Sequence, residues 1–76
     1  MIDIKTYMSE WSLYYDYGIR DAVKGTAAAN QFKCYDDGSM CGYGNGYASI
    51  LERYKGRVYA LHWLEQWLRE CKQHRI

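Results

Sequence analysis

The chain has no proline, a single phenylalanine and a net charge of only +1. It also lacks any apolar run approaching the roughly 18 residues that a membrane-spanning helix needs. Each shortage excludes something. Without proline, nothing in the chain forbids long helices. A near-neutral protein is neither a strongly acidic mimic of nucleic acid nor a strongly basic coat for phosphates. The segment Met1-Ile2-Asp3-Ile4-Lys5 does not place an apolar core after a basic stretch, so no secretory signal is expected. Three cysteines, an odd number, then favour a reducing compartment and a cytoplasmic protein.

Tyrosine and tryptophan are what the chain has in excess, nine and three in 76 residues. Both side chains offer a large contact area at low rotamer cost, with a polar tip that tolerates water. They therefore serve equally as core filling and as anchors of a binding surface. A chain this short forms one domain over residues 1–76, with a core only just large enough to hold it together. Several of the aromatics are accordingly expected at the surface.

Hydrophobic spacing divides the chain into three elements. Ile4, Met8, Trp11, Tyr15, Ile19 and Ala22 recur at steps of four and three, which lines one face of a helix. Asp3 is placed to cap it, Gly18 interrupts it and Gly25 would end it. Around Asp37-Gly38, the favoured pair of a type I′ turn, the flanks Phe32–Asp36 and Ser39–Tyr43 predict a β-hairpin. In that register Cys34 faces Cys41, and Gly42, Gly44 and Gly46 form a flexible exit. Tyr47, Ile50, Tyr54, Leu61, Leu64, Leu68 and Cys71 then predict a long C-terminal amphipathic helix. Gly56 either kinks that helix or divides it. The expected fold class is α+β: helix, hairpin, helix.

No spacing in the chain matches a catalytic motif, and no enzyme activity, metal or cofactor is expected. Cys34, Cys41, Cys71 and His74 add up to a possible zinc set, but their spacing is not that of structural zinc sites. The glycines of residues 42–46 do not follow the order of a phosphate-binding loop. Trp63 and Trp67 are i,i+4 neighbours beside Tyr59, so one strip of the last helix carries all three rings. With Tyr35 and Tyr43 they are the expected anchors for a protein partner, which includes a second copy of this chain. Asp36, Asp37, Arg57 and Arg69 are the expected rim charges. A second reading takes Arg53, Lys55 and Arg57 as phosphate contacts of a small nucleic-acid-binding regulator.

In size, tyrosine content, element order and lack of catalytic residues the chain resembles small phage-encoded inhibitors of host functions, the anti-CRISPR proteins among them. The resemblance covers the whole chain in general character and carries no diagnostic motif. It implies a stoichiometric inhibitor that occludes a surface of a bacterial defence complex such as CRISPR-Cas, working in the cytoplasm of the host.

Overall fold

A computed structural model describes residues 3–34 and 37–73 of the chain. It corrects the fold class. Among the described residues there is no strand: the chain forms three helices, α1 (Ile4–Lys24), α2 (Ser39–Lys55) and α3 (Arg57–Gln73), with a 3₁₀ turn at Asn30–Cys34.

The ends of α1 follow from local chemistry. The Asp3 carboxylate accepts a hydrogen bond from the Thr6 amide at 2.8 Å, which satisfies one orphan donor of the first turn. That bond holds the Asp3 carboxyl below the usual carboxylate range. At the other end Gly25 takes a left-handed conformation and its amide closes onto the Ala22 carbonyl.

The expected hairpin is absent because Asp37-Gly38 turns the chain into a helix instead. The Asp37 carboxylate accepts from the Ser39 amide at 3.0 Å, and α2 begins there. Tyr35 and Asp36, assigned to the hairpin, lie outside the described residues. Gly42, Gly44 and Gly46 are helical, although each costs about 1 kcal/mol relative to alanine in a helix interior. Packing offsets that cost. A Cβ on Gly38, Gly42 or Gly46 would overlap the backbone of Tyr7, Trp11 or Tyr15 respectively. On the facing helix, a Cβ on Gly18 would overlap the backbone of Tyr43 and Tyr47. The two helices therefore meet backbone to backbone along a row of glycines four residues apart, a spacing that places them on one face.

That register also sets the topology. Contacts rise together along both chains, from Gly38 at Tyr7 to Gly46 at Tyr15, so α1 and α2 run parallel. The connection after α1 must return the full length of the helix, and it does so across one face of α2. At Gly56, whose φ of 92° suits glycine, the chain reverses and α3 packs antiparallel to α2. Gly44 leaves a slot for the Trp67 indole, whose Nε1 donates to the Met40 carbonyl at 2.8 Å. No Cα of α1 comes within 8 Å of α3: α2 lies between them, and the 3₁₀ turn links both, through Phe32 on Tyr14 and against α3.

The core is largely aromatic. Tyr43 is fully buried, with ring centroids of Phe32, Trp67 and Tyr47 at 4.9, 5.4 and 6.0 Å. Trp63 stacks between Tyr47 at 4.8 Å and Trp67 at 5.4 Å, and Tyr14 meets Phe32 at 4.8 Å.

Replacing Gly42 or Gly46 with alanine is expected to lower stability by about 1–3 kcal/mol, because backbone rather than a movable side chain blocks the added methyl. Urea unfolding measures it, with the exposed Ser12→Ala on α1 as the neutral control. Unchanged midpoints for both glycine variants would mean that the helices do not approach this closely.

Candidate functional site: the open face of the second helix

Helix α2 has two sides left over once α1 and α3 are in place, and the chain treats them differently. One side, carrying Tyr43 and Tyr47, is closed by the returning connection. The Tyr43 hydroxyl donates to the Asp21 carboxylate at 2.5 Å and accepts from the Ala29 amide at 3.0 Å. The Tyr47 hydroxyl donates to the Thr26 carbonyl at 2.6 Å, while the Thr26 hydroxyl and amide both donate to the Asp21 carbonyl at 3.0 Å. Two core tyrosines thus pin the start of the crossover with their polar tips. Burial raises the hydroxyl pKa of Tyr43 far above its ordinary value, and the Asp21 bond adds to the shift. Tyr47 is raised as well, first by burial and then by the charge of Asp21.

The other side of α2 stays open. Asn45, Ser49 and Glu52, spaced four and three apart, floor a groove whose walls are α1 and α3. Trp11 and Tyr15 form one wall, their rings stacked at 5.1 Å, and Ala60, Leu61 and Leu64 form the other. This cleft has a volume of about 380 Å³. It shares Tyr15, Ser49 and Glu52 with a second depression of about 610 Å³ that runs on past Ile19 and Arg53. The floor is polar but partly self-satisfied: the Asn45 amide donates to the Cys41 carbonyl at 2.8 Å and the Ser49 hydroxyl to the Gly46 carbonyl at 2.7 Å. Met8 and Ile4 continue the row of Trp11 and Tyr15 toward the start of α1, and both are exposed. Leu61 is 55% exposed on the opposite wall.

The structure scatters the residues singled out in the sequence. Tyr43 and Trp67 lie in the core, and Trp63 is half-buried with its ring stacked on those of Tyr47 and Trp67. Of the expected anchors among the described residues, only Tyr59 is exposed. Tyr35 and Asp36 fall outside the described residues, and Asp37 accepts from the Ser39 amide just before α2. Arg69 pairs with Glu65 at 2.8 Å on the outer face of α3, while Arg53, Lys55 and Arg57 are exposed around Gly56. The residues that sequence reasoning passed over are the groove walls. Leu61 and Leu64 were assigned to the buried stripe, but α3 instead buries Ala60 and Trp67, the latter in the slot left by Gly44. The four-residue repeat of Gly38, Gly42 and Gly46 was the signal that would have revealed the arrangement.

Among the described residues no cluster of His, Cys, Asp or Glu could hold a metal ion, and no helix is long and apolar enough to cross a membrane. Cys41 is a free, half-buried cysteine in α2, a helix where a hairpin strand was expected. His74 and the side chains of Cys34 and Cys71 lie outside the described residues. Comparisons with family models, curated proteins and solved structures find no match for this chain.

The tyrosine tips predict a pH response. A hydroxyl whose pKa is raised on folding contributes stability that is complete below the ordinary tyrosine value of 10.0 and is lost as pH rises through the folded value. Stability of the native chain should therefore fall once the pH exceeds about 10. Tyr43→Phe should cost about 1–3 kcal/mol at neutral pH, since it strands the Asp21 carboxylate and the Ala29 amide. It should also flatten the alkaline decline. Chemical denaturation at pH 7 and above pH 10 checks both, and an equally steep decline in the variant would remove Tyr43 as the source.

Proposed function

We propose that this chain is a non-catalytic protein-binding module that receives an amphipathic helix of its partner in the groove between α1 and α3. It acts by occupying that partner's surface, in the manner of a phage-type inhibitor of a host defence complex. The observation that carries the reading is the asymmetry of α2. Its Tyr43 face is sealed by the crossover, while its Asn45–Glu52 face is left as an open channel. Apolar side chains line that channel on both walls: Leu61 is exposed, Trp11, Tyr15 and Leu64 are half-buried, and the exposed Met8 and Ile4 continue the α1 row beyond it. Two parallel walls one helix apart, with an apolar lining and a few polar groups at the base, match helix-in-groove recognition. In that mode an incoming helix is read at spacings of three and four residues. Ser49 and Glu52 on the floor would meet polar or cationic side chains at the edge of the incoming helix and so set its register.

The test is capture of a partner from nuclease-treated bacterial lysate by the tagged chain. Leu61→Arg and Met8→Arg sit on opposite walls, and both positions are exposed enough to leave the fold intact as judged by circular dichroism. Each is expected to reduce recovery of a discrete protein partner at least tenfold, while Leu13→Arg on the outer face of α1 leaves it unchanged. A partner retained by both groove variants, or lost equally with Leu13→Arg, would remove the groove from the interaction. Failure to capture any protein counts against the module itself.

A further inference from the structure

The corner at which α2 turns into α3 carries a chemistry that the groove does not use. From Arg53 to Leu64 the sequence holds Arg53, Lys55, Arg57 and His62 and no carboxylate. All four are exposed. Among the described residues none of the three permanent cations lies within ion-pairing distance of an acid, whereas Arg69 further along α3 is paired with Glu65. The same corner exposes aromatic and apolar groups. Tyr54 and Val58 are 72% and 73% exposed, and Tyr59 stands beside them. Lys55 already lies over one face of the Tyr59 ring, its Nζ 5.0 Å from the centroid. Gly56, a single residue between two helices, crowds all of these side chains around one tight reversal.

Three like charges within five residues repel one another, and large apolar side chains left in water gain nothing from folding. Both are accounted for by a ligand that brings anionic groups and flat apolar groups in alternation. We infer that this corner is a docking surface for single-stranded nucleic acid: Arg53, Lys55 and Arg57 meet phosphates, Tyr54 and Tyr59 stack on bases, and Val58 packs against a base edge. Single strands present bases whose faces are free, and cation–aromatic interleaving is how proteins hold them without reading sequence. An acidic peptide would satisfy the cations but offers a flat group only where it carries an aromatic residue, whereas a nucleic acid brings one with every phosphate. The surface is small, and the net charge of the whole chain is only +1, so binding spans a few nucleotides and rests on local contacts. Arg53 also borders the depression that continues the groove, whereas Tyr54, Lys55, Arg57 and Tyr59 line neither cavity, so Tyr54→Ala probes the corner without altering the groove.

Fluorescence anisotropy of a labelled oligothymidylate or oligouridylate of about twelve nucleotides, titrated with the full chain, tests it. With three phosphate contacts the affinity should fall with a log–log salt slope of about −2, which is about fifteenfold between roughly 50 and 200 mM salt. The triple variant Arg53→Ala/Lys55→Ala/Arg57→Ala should flatten that slope. Tyr54→Ala should weaken binding about tenfold at every salt concentration and leave the slope unchanged, as loss of a stacking contact does. Tyr54→Phe should restore it. No binding at the lowest salt, or variants indistinguishable from the native chain, overturns the inference. So does a chain that binds phosphatidylserine vesicles or polyglutamate through the same cations but not the oligonucleotide.

Discussion

The approach of α1 to α2 along Gly38, Gly42 and Gly46 is the contact on which everything else in this chain depends. Glycine is the poorest helix former after proline, so a segment with three glycines in five residues has little reason to be helical on its own. It becomes helical because the missing side chains let the carbonyls of Trp11 and Tyr15 come into direct contact with its backbone. Helix formation and helix packing are here a single event. The dispersion gained by close backbone contact offsets the propensity lost at each glycine, and both vanish if a methyl is inserted.

From that parallel register the remaining architecture follows in order. Parallel neighbours cannot be joined by a short turn, so residues 25–38 must run back along the bundle. In doing so they bury Phe32 against Tyr43 and receive the hydroxyls of Tyr43 and Tyr47. That connection is thereby committed to one face of α2 and does not reach the other. Since α3 returns directly after Gly56, it can flank α2 on only one side. The groove is what remains when two helices with this connectivity flank a central third.

Locally encoded features could be read from the sequence: the helical spacing of α1, its Asp3 cap, its glycine stop at Gly25, and the break at Gly56. Each depends on residues within one or two turns. The hairpin could not be read correctly, because Asp37-Gly38 is also a good helix entry and only contact with Tyr7 and Trp11 decides between the two. Nor could the assignment of rings to core or surface. Trp63 and Trp67 were correctly placed on one strip with Tyr59. Which way that strip faces depends on Gly44, from which Trp67 is separated by more than twenty residues. The groove inherits the same difficulty, since its two walls belong to helices whose backbones stay more than 8 Å apart. Its residues form a site only through α2.

The single-sided attachment of α1 has a kinetic consequence. Contacts between α2 and α3 span a one-residue reversal and close quickly, whereas α1 must wait for the whole crossover to order before it can dock. Because the glycine-rich stretch of α2 is helical only with α1 against it, the early α2–α3 contact stays incomplete until α1 docks, and α1 and α2 order together. Backbone amides of α1 and of the Gly42–Gly46 stretch should then exchange with solvent together, through one shared opening. Protection that persists along Gly42–Gly46 while α1 exchanges would instead describe a second helix that stands without the first.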